Sequence, residues 1–372
     1  MHPPIPQCNP LAAYQAQADA IDAAIRDALA SGRYILGPRV AAFEQAFARW
    51  TGLRHVLGVA NGTDALEMAL RAVGVGEGDR VVTTSMTAVA TVVAIRAAGA
   101  IPLFADVDAD HGLLDVAQVA RVFEASTAPI KAIVAVHLYG RCVDMDALCA
   151  LAGRHGAVVV EDCAQAHGAR WNGRAAGTFG AIASFSFYPT KNLGAIGDGG
   201  ALATDDADAL ERARLLREYG WKQRYVSAVE GGNSRLDELQ AAILSVKLEA
   251  LDADNARRRA IASTYREGID NPHVALWRGG DAGHVYHQFV VRTPRRDDLH
   301  AFLGERGIGT LVHYPLAVHD QPAYADPAYR PLPLPHTEAW AASVLSLPMF
   351  PQLADDDVAR VIEAVNAWHG PA

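Results

Sequence analysis

Short apolar runs alternate with helical patterns through the first half of the chain. The runs are H-V-L-G-V-A at 55–60, V-V-T-T at 81–84, I-P-L-F-A-D at 101–106, I-K-A-I-V-A-V-H at 130–137 and A-V-V-V-E-D at 157–162. Helical spacing of apolar residues fills the intervals, for example at 87–98 and 144–155. Continuously apolar strands that alternate with helices predict a parallel sheet covered by helices on both faces.

The flanking segments predict a helical N-terminal segment and a smaller C-terminal domain. We expect an alanine-rich helix at 11–30 and a second helix that begins at Pro38. A domain boundary near Asp252–Asn255 divides the chain into a large domain, residues 1–250, and a small domain, residues 251–372. The predicted C-terminal elements are a strand at His284–Arg292, a helix at Arg295–Arg306, a strand at Gly309–His313, a proline-rich loop at Pro315–Pro335 and two closing helices.

One lysine stands between a strand pattern and a glycine-rich stretch. Serine and phenylalanine alternate from Ser184 to Phe187, which predicts a half-buried strand, and Pro189 ends it. Lys191 follows, and then four glycines within seven residues. A lysine held there is restrained and partly desolvated, which lowers the pKa of its amine and makes it a candidate Schiff-base nucleophile. A surface lysine beside a flexible loop fits the same letters.

Two other polar groups follow predicted strands in the same way. Asn61–Asp64 opens a helix directly after a strand. Free N–H groups and the helix dipole favour anions there, and Gly62 permits close approach, although a plain helix cap has the same composition. Asp162 ends another strand and needs a partner, either a protonated pyridine nitrogen or a structural arginine. Because ligands gather at the carboxyl ends of parallel strands, we expect these groups and Lys191 to share one site.

Composition excludes several classes of protein. The 372 residues carry a formal net charge of −9, without the basic face that nucleic-acid binding needs. The four cysteines form no C-x-x-C pair and have no histidine at zinc spacing, so we expect reduced thiols and no metal site. The N-terminus lacks the features of a signal peptide, and the most apolar window, Val81 to Phe104, is too polar to span a bilayer. These features predict a cytoplasmic globular protein that binds neither nucleic acid nor membrane.

Five segments together resemble the DegT/StrS-type sugar aminotransferases, a family of fold-type I pyridoxal-phosphate enzymes. They are N-G-T-D-A-L, H-L-Y-G-R-C-V-D-M-D, E-D-C-A-Q-A-H-G-A, F-S-F-Y-P-T-K-N-L-G-A-I-G-D-G-G and G-G-N-S-R-L-D-E-L-Q-A-A-I-L. With H-Y-P at 313–315 and S-L-P-M at 346–349, the matches run from about Pro38 to Met349. The resemblance implies the aspartate-aminotransferase-like α/β fold. That fold has a large domain with a mostly parallel seven-stranded sheet and a smaller α/β C-terminal domain.

The resemblance also implies roles for individual residues. Lys191 would form the Schiff base with pyridoxal 5′-phosphate and carry a proton between substrate carbon and cofactor carbon. Asp162 would pair with the pyridine nitrogen, and Gln165 would bond the ring hydroxyl. The residues expected around the cofactor phosphate are Gly62, Thr63, Asp64 through its amide, and Ser186.

Three more residues complete the site that the resemblance implies. Asn233 would reach the phosphate of the other subunit's cofactor, so we expect a homodimer with shared active sites. His313 and Tyr314 would line the sugar end of the pocket, although a packed pair at a strand end fits these two residues equally well.

One position departs from the family pattern. The family often has an aromatic residue that stacks on the cofactor ring where this chain has Ala88. Alanine cannot stack, so we expect the ring to be packed by another group, with Met86 and His167 as the candidates.

The implied reaction is a ping-pong transamination. L-glutamate, or glutamine, would give its amino group to the cofactor, and the resulting pyridoxamine 5′-phosphate would pass it to a keto sugar nucleotide. The forms N-S-R-L-D-E-L-Q and Y-P-T-K-N-L-G-A-I-G-D-G-G resemble members that aminate a dTDP-linked 3-keto-6-deoxyhexose. The product would be an amino sugar for polysaccharide or natural-product glycosylation. Amination of a 4-keto sugar nucleotide or a keto-inositol is the alternative within the family.

Other functions fit the residues less well. Dehydratases of the same family carry histidine at the position of Lys191. A non-catalytic regulatory or binding protein on this scaffold would not need Lys191, Asp162 and Gln165 together. A nicotinamide-dependent enzyme is disfavoured because no G-x-G-x-x-G follows an early strand.

Overall fold

The structure, a computed structural model, describes residues 3–277 and 282–370. The helices are α1 (Pro10–Gln15), α2 (Ala18–Ala30), α3 (Pro38–Thr51), α4 (Gly62–Ala72), α5 (Val89–Ala97), α6 (Val116–Ala125), α7 (Met145–His155), α8 (Ala207–Arg217), α9 (Glu238–Gly268), α10 (Arg296–Glu305), α11 (Pro335–Ser343) and α12 (Asp355–Asn366). The strands are β1 (His55–Val59), β2 (Arg80–Thr84), β3 (Ile101–Ala105), β4 (Ile130–Val136), β5 (Val158–Asp162), β6 (Arg170–Trp171), β7 (Arg174–Ala175), β8 (Ile182–Ser186), β9 (Gly200–Thr204), β10 (Trp221–Gln223), β11 (Val226–Ser227), β12 (Phe289–Arg292) and β13 (Val344–Leu347).

A seven-stranded sheet organises the first two thirds of the described chain. Its strand order is β1-β9-β8-β5-β4-β2-β3. Every pair is parallel except the two that involve β9, which runs antiparallel to both β1 and β8. The mostly parallel α/β sheet that the sequence predicts is therefore confirmed. The register places Asp162 beside Ser184, so the ends of β5 and β8 lie next to each other.

Helices cover both faces of this sheet because its strands are apolar on both. Along β9, Leu202 faces one hydrophobic core while its neighbours Ala201 and Ala203 face another, as the period of two requires. The second of these cores packs α3 and α9 against the sheet through a cluster of aromatic rings. In that cluster Phe47 stacks on Phe43 and meets Phe185 edge to face at 5.0 Å between ring centroids.

A third core lies in the C-terminal part of the chain. The antiparallel pair β12–β13 packs there with α10, α12 and the second half of α9. Ile5, near the N-terminus, joins this core and pairs through its backbone with Ile308. The helix α9 thus contributes Leu244 to the core under the large sheet and Tyr265 to the C-terminal core. The division at residues 250 and 251 stays a prediction, and it falls within this helix.

Three details of the predicted elements were wrong. The N-terminal helix is broken at Ala16–Gln17 into α1 and α2. No strand forms at Gly309–His313, where Leu311 alone makes an isolated bridge to Ser346. The strand predicted at His284–Arg292 is confined to β12, and its partner β13, between the two closing helices, was not predicted.

Among the helices of the described residues, none is both long and apolar enough to span a lipid bilayer.

Candidate active site

A cavity of about 500 Å³ opens where β5 and β8 end and α4 begins. Seven of the residues predicted for the site line it together, namely Gly62, Thr63, Asp64, Asp162, Gln165, Ser186 and Lys191. They come from three separate segments that are far apart in the sequence. The carboxyl ends of the parallel strands bring them together, as expected for this class of sheet.

The start of α4 forms one end of the cavity. Asn61 caps the helix, because its Oδ1 accepts from the amide of Asp64 at 2.9 Å. A Cβ at Gly62 would lie 2.6 Å from Cβ of Ser186, so only glycine allows this close approach. Hydroxyl groups of Thr63 and Ser186 and the N-terminal amides of α4 make this end suited to an anion such as a phosphate. The Asp64 amide is engaged by the Asn61 cap, so an anion here would share that donor.

The buried carboxylate of Asp162 lies in the cavity wall next to the start of α4. Asp162 Oδ2 accepts from the hydroxyl of Thr91 at 2.8 Å, and Oδ1 accepts from the amide of Ala164 at 3.1 Å. A carboxylate has about four acceptor positions, so capacity remains for a further donor from the cavity. An ionised group this deep needs such a partner, and a protonated ring nitrogen would supply it.

Gln165 connects the cavity to the predicted sugar-binding pair. Its Oε1 accepts from the amide of Tyr139 at 2.7 Å, and its Nε2 donates to the hydroxyl of Tyr314 at 3.0 Å. His313 lies beside Tyr314 and contacts Ser346 Oγ through Nδ1 at 2.8 Å. Neither member of the pair is among the residues that line the cavity, and only Tyr314 directly contacts the lining residue Gln165. Burial raises the pKa of Tyr314 to about 12, which keeps its phenol neutral.

Lys191 lies in a tight turn after β8. Its amide donates to the carbonyl oxygen of Tyr188 at 2.8 Å. A Cβ at Gly194 would lie 2.4 Å from the carbonyl oxygen of Pro189, so the turn requires glycine there. Burial lowers the pKa of the Lys191 amine to about 8, and the negative charge of Asp162 opposes this shift. A substantial neutral fraction is therefore present near neutral pH, as a nucleophilic amine needs.

The histidines around this lysine are neutral. Burial, reinforced by the charge of Lys191, lowers the pKa of His167 to about 3 and that of His313 to about 4. The pKa of His287 falls well below its usual value for the same reasons. Lys191 is thus surrounded by imidazole rings that add no positive charge at neutral pH.

His137 is a cavity residue that the sequence analysis missed. Its Nε2 lies 3.0 Å from Oε2 of Glu161, and its Nδ1 accepts from the amide of Val143 at 3.2 Å. The Glu161 carboxylate also accepts from three backbone amides of residues 177–180 at 2.6–2.7 Å. Burial alone would raise the Glu161 pKa, but His137 and these amides lower it overall. Its position directly after β4, in H-L-Y-G, is the sequence signal that could have identified His137 as a residue of the site, since the site forms at strand ends.

Ala88 forms part of the cavity wall at the N-cap of α5. The two groups expected to replace the aromatic ring lie elsewhere. Met86 is fully buried in the core of the sheet, and His167 packs against Phe185 and Phe187 at 5.6 and 5.9 Å between ring centroids. Neither lines the cavity, whereas His137 does.

Asn233 is the one predicted cofactor residue that the structure places away from the others. It pairs through its backbone with Glu218, and its side chain is exposed on the surface of the chain. The residues that line the cavity do not include it.

The residues of the cavity fit pyridoxal phosphate. The close approach of Gly62 to Ser186 leaves a cradle that any Cβ would fill, at the start of a helix that favours phosphate. A buried carboxylate with spare acceptor capacity and a lysine with a lowered pKa lie beyond it. These are the groups that a pyridine nitrogen and an aldehyde need.

Comparison with known sequences supports this interpretation. The sequence profile of the DegT/DnrJ/EryC1/StrS aminotransferase family matches residues 15–366. One similar protein is the dTDP-3-amino-3,4,6-trideoxy-alpha-D-glucose transaminase of Streptomyces venezuelae. It is 47% identical over 368 residues, which cover 98% of this chain and 96% of that protein.

Two solved structures extend the similarity to the fold. The crystal structure of DesV from S. venezuelae in complex with a ketimine intermediate superimposes with a TM-score of 0.95, at 46% identity and over 100% of both chains. The structure of NtdA from Bacillus subtilis with bound cofactor PMP has a TM-score of 0.87 at 29% identity. It covers 94% of this chain and 81% of that one.

Proposed function

Because this chain belongs to the DegT/DnrJ/EryC1/StrS aminotransferase family, we propose that it transfers the amino group of L-glutamate to a nucleotide-linked keto sugar. It is an aminotransferase whose cofactor is pyridoxal phosphate. The observation that carries the proposal is the convergence of Lys191, Asp162, Gln165 and the start of α4 on one cavity.

The cofactor, when bound, supplies an electron sink for the negative charge that develops at the substrate carbon. Asp162 would hold a proton at the pyridine nitrogen, because its carboxylate is fixed by Thr91 and has spare acceptor capacity. Lys191 would bind the cofactor aldehyde through Nζ and then move a proton between the carbon of the substrate and that of the cofactor. A lowered pKa suits this second task, because a general base works best when its pKa lies near the operating pH.

The substrate we propose is a dTDP-linked 3-keto-6-deoxyhexose. The similar enzyme of S. venezuelae, by its name, forms a 3-amino sugar linked to dTDP, and this supports the choice of carbon and nucleotide. His313 and Tyr314 are proposed at the sugar end because Tyr314 contacts Gln165 in the cavity wall. A 4-keto sugar nucleotide or a keto-inositol remains the alternative acceptor, and glutamine the alternative donor.

We further propose that the enzyme works as a homodimer in the cytoplasm. The exposed position of Asn233 supports the dimer, since this side chain does not reach the cavity of its own chain. The ribbon β10–β11 beside it also exposes apolar side chains, with Tyr225 at 73% and Val226 at 57%. Light scattering of the purified protein should give the mass of two chains, and a monomer with full activity would contradict the shared site.

An absorbance experiment tests the reaction itself. The protein loaded with pyridoxal phosphate should be yellow, and L-glutamate should convert the band to that of pyridoxamine phosphate. Lys191→Ala should not turn over. Supplying the 3-keto and 4-keto isomers of the sugar nucleotide in parallel then decides the acceptor. No bleaching with glutamate would overturn the donor, and no preference for the 3-keto isomer would overturn the acceptor.

A further inference from the structure

The side-chain amide of Asn192 connects the turn that holds Lys191 to two other parts of the fold. Asn192 Nδ2 donates to Asn255 Oδ1 at 2.8 Å and to the carbonyl oxygen of Val285 at 3.1 Å. Because a carbonyl oxygen can only accept, the Val285 contact fixes which end of the amide is nitrogen. Asn192 Oδ1 is then the acceptor for Nδ1 of His287 at 3.2 Å. Both ends of the Asn192 amide are therefore engaged.

The histidine in this chain of contacts has one consistent protonation state. His287 is buried and its pKa is lowered well below the usual value, so the ring is neutral. Its Nε2 lies 3.4 Å from Nε2 of Gln288, whose Oε1 accepts from Gln7 at 2.6 Å. The amide of Gln288 therefore presents N–H to the ring, and the single ring proton lies on Nδ1. That proton is donated to Asn192, which anchors the lysine turn to the C-terminal part of the chain.

Asn255 carries the connection to the other half of the site. It lies in α9 with only 2% of its surface exposed, and its Nδ2 donates to the carbonyl oxygen of His167 at 2.8 Å. His167 belongs to the loop 163–169, which directly follows the cavity carboxylate Asp162 at the end of β5. Gly168 has a φ of +85°, and a Cβ there would lie 2.8 Å from Asn255 Nδ2. The close contact between the Asn255 amide and this loop therefore requires glycine at position 168.

We propose that Asn255, acting with Asn192, is a positioning residue that sets the separation between Lys191 and Asp162. The inference rests on the proposed function, because these two groups must meet opposite edges of the same rigid ring. Because the cofactor ring is rigid, it cannot contact both groups if one of them is displaced. A displacement of about 1 Å between reacting groups can cost roughly 100-fold in rate.

Three variants test the proposal in the loaded enzyme: Asn255→Ala, Asn192→Ala and the double variant. Stopped-flow absorbance gives the rate constant of the glutamate half-reaction, and a pH titration gives the midpoint of the absorbance band of the lysine-bound cofactor. Each single variant should slow the half-reaction at saturating glutamate by about tenfold to 100-fold and shift the midpoint. The glutamate concentration for half-saturation should stay unchanged. Because the hydrogen bond between Asn192 and Asn255 is lost in either single variant, the loss in the double variant should be clearly smaller than the product of the two single losses.

A matched control separates positioning from general destabilisation. Asn271 is also buried, and its Nδ2 donates to the carbonyl oxygens of Val365 and Trp368, both at 2.6 Å, far from the cavity. Asn271→Ala should lower the melting temperature comparably with Asn255→Ala and leave the rate constant and the absorbance midpoint unchanged.

The possible results separate this inference from the proposed function. If Asn255→Ala resembles Asn271→Ala in melting temperature and keeps the wild-type rate and midpoint, the amide is only structural and the inference is overturned. Multiplied losses in the double variant would overturn it as well. If Asn255→Ala does not fold, the partly exposed Asn192→Ala carries the same prediction alone. A wild-type protein that takes up no cofactor overturns the proposed function, and this inference with it.

Discussion

Lys191 should react as a neutral amine at a pH where an ordinary lysine is almost fully protonated. Burial lowers its pKa from 10.5 to about 8, against the opposing charge of Asp162. The neutral fraction at pH 7 is then about 10%, compared with about 0.03% for an ordinary lysine, a ratio of roughly 300. Only the neutral amine attacks a carbonyl carbon. The rate at which the cofactor-free protein captures an aldehyde should therefore rise with pH and level off above a midpoint of about 8.

The assay uses a small aliphatic aldehyde, trapped by borohydride and quantified by mass spectrometry of the peptide that contains Lys191. A small probe makes no contact with the phosphate or ring sites, so the rate reports the amine alone. Nα-acetyl-lysine amide in the same buffers gives the reference for an unperturbed amine.

The variant Asp162→Asn tests the direction in which the Asp162 charge shifts the pKa of Lys191. The Asp162 carboxylate raises the Lys191 pKa, so its removal should move the midpoint of capture below 8. The reasoning is refuted if the wild-type rate keeps rising in parallel with the reference amine. It is equally refuted if Asp162→Asn moves the midpoint upward.

Three further changes test other parts of the site. Gly62→Ala places a methyl carbon 2.6 Å from a neighbouring serine side chain and should weaken pyridoxal phosphate binding about tenfold in a fluorescence titration, whereas Gly76→Ala, with nothing within 4 Å, should bind normally. Glu161→Gln should lower the free energy of unfolding by about 2–3 kcal/mol at neutral pH. The pKa of Glu161 in the folded protein lies below its usual value of 4.5, so the stabilisation by this carboxylate is present above pH 4.5 and is lost as the pH falls through the folded pKa. The denaturation curves of variant and wild type should therefore converge in acid. A difference that stays constant with pH would contradict this reasoning. Tyr314→Phe should reduce kcat/KM for the keto sugar more than the rate of the glutamate half-reaction, and equal losses would argue against a place at the sugar end.

The large sheet and the convergence of its strand-end residues could be predicted because both follow from local patterns. Most strands of the sheet are largely apolar, and helices alternate with strands through the first half of the sequence. Asp162 and Lys191 could be assigned to one site from their places after β5 and β8 alone, since parallel strands end at the same edge.

The errors concern contacts between distant segments. β12 pairs with β13, which places Phe289 opposite Leu347, and nothing within the letters V-L-S-L indicates that partner. The segment 309–313 has suitable residues for a strand, but only Leu311 meets a partner there. His167 follows the cavity carboxylate closely, yet the aromatic cluster under the sheet holds its ring away from the cavity. Sequence spacing gives the segment that a residue belongs to, whereas packing decides which way its side chain points.

The size of the cavity limits what it can recognise. A volume of about 500 Å³ is typical of a site for one small ligand, and cofactor, hexose and nucleotide together exceed it. We therefore expect the cofactor and the reacting sugar carbon to occupy the cavity, and the nucleotide to extend across its rim. The residues that line the cavity include Tyr188, which is 53% exposed, and Ala88 with its small side chain. In the proposed homodimer, we expect the second subunit to cover this rim and to take part in the choice of nucleotide. The transfer of the amino group depends instead on the buried groups of one chain, Lys191 and Asp162.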